Sequence, residues 1–263
     1  MRIPVNANAP VLTIARYTLK GYIKERVLLV VLVFGFLLMV SSYVLAPLAV
    51  GAQRKIIVDI GLASISVFGI LLVVLIAAGS YARERDRGIL PNILSKPVGR
   101  VDFILGKFLG TWVTVLLVMA CMTFLYFVVM LVSRTSFNGV IFVAVFLSAL
   151  EVAVVTAVMT LFSTFTSPLL SALFTLCVVV SGHLSADLLE FAERFGGAGF
   201  NAVSSVAYYV LPNLSLFNVR SEAVHELPLM NQYVAAVTVY GVFYTLIALL
   251  ASALIFRRRD VAA

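Results

Sequence analysis

The feature that most constrains this chain is a set of six apolar runs, near 27–46, 57–80, 108–132, 140–163, 168–185 and 233–256. A helix needs about 20 apolar residues, at about 1.5 Å of rise each, to traverse the hydrocarbon of a bilayer. Inside hydrocarbon an unpaired backbone amide or carbonyl costs several kcal/mol, so spans are helices or closed barrels. These runs lack period-two alternation, which leaves helices. The expected fold class is all-α: a polytopic integral membrane protein with six transmembrane helices, residues 1–263 forming a single transmembrane domain. With 62% of residues hydrophobic and 12% charged, against roughly 45–50% and 25% in soluble domains, a water-soluble fold is excluded. The first run is longer than a signal-peptide core of about 7–15 residues and reads as a retained anchor.

Charge gives the orientation. Fourteen of the 19 Lys and Arg residues fall in the N-terminal stretch, the segment 81–107 and the C-terminal tail, and five fall in the alternate connections, at Arg54, Lys55, Arg134, Arg194 and Arg220. Positive charge is retained in the cytoplasm during insertion, so both termini and the 81–107 loop are expected there. The basic residues flank apolar runs and form no groove interleaved with stacking aromatics, so the net charge of +7 is assigned to topology and membrane lipids, with no nucleic acid as partner. Cys121 and Cys177 sit within apolar runs and read as small buried hydrophobes, without a disulfide or a metal.

Two segments outside the runs carry their own patterns. Between Pro10 and Glu25, Arg16, Lys20 and Lys24 recur at i+4, while Leu12, Ala15, Leu19, Tyr22 and Ile23 fill the opposite arc. That pattern, with Pro10 in the first turn, predicts an amphipathic helix over 10–25 along the cytoplasmic headgroups. Segment 186–232 is too long for a plain connection. Asp187–Arg194 reads as a short amphipathic helix, and Asn201–Leu211 as an apolar stretch too short to cross, so an external re-entrant or interfacial segment is expected.

Chemistry of the chain's own is absent from the pattern. Gly106-Lys107 is followed by Phe108, and Val101 stands where a phosphate-binding loop would have its first glycine, so no triphosphate cradle is formed. His183 and His225 lack a spaced set of further ligands, so no metal site is expected, and no nucleophile-elbow serine is found. No catalytic residue and no cofactor are assigned. Glu151 is the one carboxylate near the middle of a run. Its burial costs about 2.5–3.5 kcal/mol on insertion scales, so it must be protonated, hydrogen-bonded or turned to a polar interior. Thr156 and Thr160 are expected to offer it company. Glu151, Thr156 and His183 are thus candidates for a translocation path or gate, with a structural hydrogen-bond role for Glu151 as the alternative. His183 and Asp187, four apart, are expected to form a polar cap at the external headgroups, with a pH-sensitive gate as the alternative.

Segment 81–107 mixes both charge signs at 83–87 with apolar Ile89, Leu90, Ile93 and Leu94, and has helix stops at Pro91 and Pro97. It reads as a short amphipathic cytoplasmic helix offered to a protein partner, or else as a membrane-surface anchor. Here the chain resembles the permease subunits of ABC type-2 transporters. The resemblance rests on Glu84 and Gly88, Leu94-Ser95-Lys96-Pro97 with Arg100, Gly106-Lys107, Phe162-Ser163-Thr164-Phe165, Leu211-Pro212-Asn213 and Phe256-Arg257-Arg258-Arg259-Asp260, and it runs over nearly the whole chain.

The resemblance implies a permease paired with a second permease subunit, identical or a paralogue, on a dimer of separate ABC ATPase subunits that hold ATP and Mg. It implies that 81–107 is the coupling helix, with Glu84, Arg85 and Gly88 facing the ATPase. Ser95, Lys96, Pro97 and Arg100 would turn the chain back toward the third span. The 10–25 helix would be the elbow helix, and the setting the plasma membrane of a prokaryote, the inner membrane if Gram-negative. Export is the implied direction; no sizeable soluble domain is present, which leaves the cargo open. The competing readings are an ATP-independent secondary carrier and a membrane-assembly protein.

Overall fold

A computed structural model describes residues 10–48, 52–86, 99–185 and 211–258. Among them the regular secondary structure is all helical, without a strand. In order the elements are α1 (Pro10–Ile23), α2 (Arg26–Leu45), α3 (Gln53–Asp86), α4 (Arg100–Val132), α5 (Gly139–Ser163), α6 (Pro168–His183), α7 (Arg220–His225) and α8 (Asn231–Arg258). A 3-10 turn extends α2 at Ala46–Leu48, and another precedes α7 at Leu214–Phe217. Five helices, α2, α3, α4, α5 and α8, are long and apolar enough to cross a membrane. The chain is therefore an α-helical membrane protein. The fifth expected run gives α6, a shorter apolar helix of 16 residues, about 24 Å long at the helical rise.

Helices α3 and α5 are the hubs: α5 packs against α3, α4, α6, α7 and α8, and α3 against α2, α4, α5, α6 and α7. Every residue of α5 from Glu151 to Thr160 is buried, which is what a helix apolar all round becomes when protein surrounds it. Asn138 caps its start, its side chain accepting from the Val140 amide at 3.3 Å. By contrast α2 and α8 keep most of their apolar surface turned outward, the expected state of helices that meet lipid.

The core has two faces. Arg54 at the start of α3, Ser136 between α4 and α5, and Val224 of α7 meet on one, through hydrogen bonds of 3.2 and 3.1 Å from Arg54. On the other, Phe103 near the start of α4 stacks on Phe256 near the end of α8, with ring centroids 6.0 Å apart. These are called below the α7 face and the α1 face.

Helix α1 lies on the first turns of α4, where Gly106 and Gly110 stand one helical turn apart. A Cβ at Gly110 would come within 2.7 Å of the Ala15 carbonyl oxygen, and one at Gly106 within 2.9 Å of that of Val11. Only glycine permits backbones this close. The buried side of α1 is Ala15 and Tyr22, flanked by half-buried Val11, Ile14 and Thr18. The apolar arc read from sequence divides here: Ala15 and Tyr22 are buried, whereas Leu12 and Ile23 are exposed apolar residues. The helix has three stripes, one against α4, one apolar and open, and one basic with Arg16 and Lys20, and Lys24 just past its end is exposed with them.

Two further expectations change. The segment 81–107, read as a loop, has helix at both ends: α3 continues to Asp86 and α4 starts at Arg100, so Gly106-Lys107 lies inside α4. Cys121 and Cys177 are free and exposed on their helices, because each run here has a face that meets no protein. Of segment 186–232, residues 186–210, with the expected Asp187–Arg194 helix and nearly all of Asn201–Leu211, lie outside the described residues. The rest forms the 3-10 turn, α7 and an extended link to α8.

Candidate functional site

The turn between α5 and α6 builds the site. Helix α5 ends as Ser163 and Thr164 turn their hydroxyls back onto the carbonyls of Thr160 and Leu161, at 2.8 and 2.7 Å. Pro168 then opens α6 at its first turn, where its missing N–H and fixed φ suit a helix start. The result is an antiparallel hairpin with a turn at 164–167. Residues equidistant from such a turn stand level, so Glu151 is matched by a position near residue 180, and His183 lies less than one turn beyond it.

Glu151 is 1% exposed. Its Oε2 accepts a hydrogen bond from Ser66 Oγ of α3 at 3.2 Å, and its Oε1 lies 3.0 Å from His183 Nε2. The imidazole Nδ1 is 3.0 Å from the Val179 carbonyl oxygen, one turn back in α6. A carbonyl only accepts, so Nδ1 carries a proton there. Oε1 has no neutral donor aligned on it. Two acceptor atoms 3.0 Å apart require one proton between them. The pair is therefore either carboxylate with imidazolium or carboxylic acid with imidazole, and both forms are neutral as a unit. That resolves the cost of placing a carboxylate at this depth.

The threonines expected to accompany Glu151 do not. Thr156 and Thr160 donate to the carbonyls of Val152 and Thr156, each at 2.7 Å, the usual way a hydroxyl is satisfied within an apolar helix. His183, expected at a headgroup cap with Asp187, is turned inward to Glu151; Asp187 is outside the described residues.

Above the pair, toward the α7 face, the polar groups belong to the segment before α8. Arg220 Nε lies 2.8 Å from Asp59 Oδ1, and Arg54 lies 2.9 Å from Glu226 Oε1. Tyr240 of α8 accepts from the Asn213 amide at 2.8 Å, and Tyr233 donates to the Leu216 carbonyl at 2.8 Å. Gly182 brings the end of α6 so close to this cap that a Cβ would sit 2.6 Å from the Pro212 carbonyl oxygen. Beneath the cap is a cavity of about 180 Å³, with Ser66, Ser148, His183, Asn218 and Arg220 as its polar lining. Among the described residues no cluster of three or more His, Cys, Asp or Glu could hold a metal ion.

The residues expected to couple to an ATPase lie elsewhere. Glu84 and Arg85 are in the last turn of α3 and Arg100 is the first residue of α4. Gly88, Ser95, Lys96 and Pro97 fall outside the described residues. Sequence reasoning missed Ser66, Asp59 and Arg220. The reflection through the 164–167 turn was a usable signal for the Glu151–His183 pairing, whereas the contacts of Ser66 and Arg220, 85 and 161 positions from their partners, leave none.

The chain belongs to the family DUF2705, described as a protein of unknown function, whose match covers residues 27–262. No curated protein matches it significantly.

Proposed function

Taking membership of that family as the premise, we propose that this protein is the permease subunit of an ATP-binding-cassette transporter, forming the translocation path and coupled to a separate ATPase subunit. The observation that carries the reading is the length of two neighbouring helices. Helices α3 and α4 have 34 and 33 residues, about 50 Å each at about 1.5 Å per residue, against a hydrocarbon core of about 30 Å. The apolar run of α3 ends near residue 80, and the helix continues to its Arg-Glu-Arg-Asp end at Asp86. It is joined to the start of α4 through 87–98. Two rigid helices that leave the membrane together and end in charge make a lever, and a lever needs something that moves it.

In this reading α6 is the sixth span, and both termini are cytoplasmic, in a prokaryotic plasma membrane. Helix α1 is the elbow helix: its exposed Leu12 and Ile23 meet acyl chains while Arg16, Lys20 and Lys24 meet headgroups. A second permease subunit, and ATP with Mg on the partner, complete the assembly, with export as its direction.

The test is purification from native membranes in mild detergent. The protein should carry with it a P-loop ATPase identified by mass spectrometry, and the double charge reversal Glu84→Lys with Arg85→Glu should release that ATPase from a folded permease. A chain that purifies alone, and in liposomes moves a solute down an ion gradient without nucleotide, overturns the reading. That outcome would establish the ATP-independent carrier, which one observation favours: an ionisable pair, Glu151 and His183, at membrane depth.

A further inference from the structure

Two cavities open in sequence on the α7 face. The outer one, about 410 Å³, has Lys55, Asp59, Ser221 and His225 in its lining. The inner one, about 180 Å³, reaches Ser66, Ser148 and His183. Asn218 and Arg220 line both, so the wall between the cavities holds the Arg220–Asp59 ion pair. Behind the floor of the inner one stands Glu151, at 3.0 Å from His183.

Size and lining decide what the inner cavity takes. It is smaller than the roughly 300 Å³ at which sites for drug-sized molecules begin, yet it holds several waters, each taking about 30 Å³. A buried water needs two to four polar partners, and five polar side chains surround this space. Toward the α1 face the way is shut, since α5 is buried without a break from Val152 to Thr160. The Glu151–His183 unit itself holds one exchangeable proton between two acceptor atoms.

We infer that Glu151 and His183 form a protonation site that exchanges with water on the α7 face alone, by way of the inner cavity and the outer vestibule, and that the Arg220–Asp59 pair is its gate. The ligand is a proton, delivered by water. The groups that face the site are Ser66 and, two turns above it, Asp59 from α3; His183 from α6; Asn218, Arg220 and His225 from the cap; and, from α8, Tyr240 beneath that cap. The charged residues described on α4, Asp102 and Lys107, lie toward the α1 face. Loss of the shared proton leaves one negative charge beneath Arg220. That cation is thus placed both to bar the path when paired with Asp59 and to steady the deprotonated unit when released. The inference is independent of the ATPase reading, since it concerns access to one buried pair.

The experiment uses the full chain in sealed proteoliposomes, with Cys121 and Cys177 replaced by Ser. Single cysteines are placed in the inner cavity by Ser148→Cys and Ala63→Cys, and in the vestibule by Ser221→Cys, which marks the side on which α7 lies. A membrane-impermeant methanethiosulfonate should label both cavity positions from the side that labels Ser221→Cys, and not from the other. Arg220→Ala should raise the cavity labelling rate about fivefold, as expected when a half-exposed ion pair no longer holds the wall. Infrared difference spectra on acidifying that side should show a band change in the carboxyl region, from carboxylate or carboxylic acid, that Glu151→Gln removes. Labelling of the cavity only from the opposite side, or only by a lipid-soluble maleimide, or a band unchanged in Glu151→Gln, overturns the inference. Ala63→Cys and Ser148→Cys serve as independent reporters should one of them disturb packing.

Discussion

The two faces of the helical core are held by different forces. On the α1 face, α1 rests on α4 through Gly106 and Gly110, with main chain against main chain and no room for a methyl group. On the α7 face, the cap is tied by the Arg54–Glu226 and Arg220–Asp59 ion pairs and by two tyrosine hydroxyls. Close dispersion contact falls off steeply with separation, so the first joint has one stable geometry. Half-exposed ion pairs are worth little apiece and re-form readily in water. The α1 joint is thus built to transmit displacement as a rigid unit, and the α7 cap to rearrange without unfolding the core.

The largest expected effect lies beneath the cap. His183→Ala leaves Glu151 with Ser66 alone, and removing one member of a buried pair costs about 3–5 kcal/mol. Glu151→Gln with His183→Gln, which retains hydrogen-bonding groups and removes the charge, should recover most of that loss. Thermal stability in detergent compares them, and equal loss in both variants would show that the pair is not an electrostatic unit.

Next comes the α1 joint. Gly110→Val forces a branched side chain against the Ala15 carbonyl and should cost about 1–3 kcal/mol, the usual range for overpacking. Gly21→Ala, where a Cβ would meet nothing within 4 Å, should be neutral or stabilising by up to about 1 kcal/mol. Melting of the two variants reads this contrast directly. If both behave alike, the close approach of α1 and α4 does not hold in the membrane.

The smallest effects belong to the cap. Asp59→Asn and Glu226→Gln should each cost about 0–1 kcal/mol, and less at high salt, because their carboxylates are about half exposed and screened. The sharper comparison is salt itself: about 1 M NaCl should narrow the gap between Asp59→Asn and the parent, and leave that of Gly110→Val unchanged. A Gly110→Val defect that varied with salt would break the distinction between the two faces.

Much of the architecture was legible from apolar run length alone. The starts of α2, α5 and α6 fall within one residue of the expected spans, since a run of this kind has no other stable state in hydrocarbon. The ends of α3 and the start of α4 were misread because charge was taken as the end of a helix. Charge only ends the membrane, and a helix with its backbone bonds already satisfied continues into water. The α1 stripe was read as one apolar arc, which the structure divides between residues against α4 and residues left open. A pattern of two faces cannot separate apolar residues that meet lipid from those that meet protein, and the same blindness placed Cys121 and Cys177 inside.

Of the candidate site, sequence singled out Glu151 and His183 separately, each as a polar residue where polarity is expensive. It assigned Thr156 and Thr160 as company for Glu151, because helical spacing is the only proximity that a linear pattern displays.

By itself, then, the sequence determined that the chain is a bundle of membrane helices, where most of them begin, and that Glu151 needs a partner, because hydrocarbon admits few alternatives. Tertiary structure alone decided who that partner is, that Arg220 stands over it, and which face of each apolar helix is inside. Those choices depend on how helices far apart in the chain lie side by side, and hydrophobicity is the same whether the neighbour is lipid or protein.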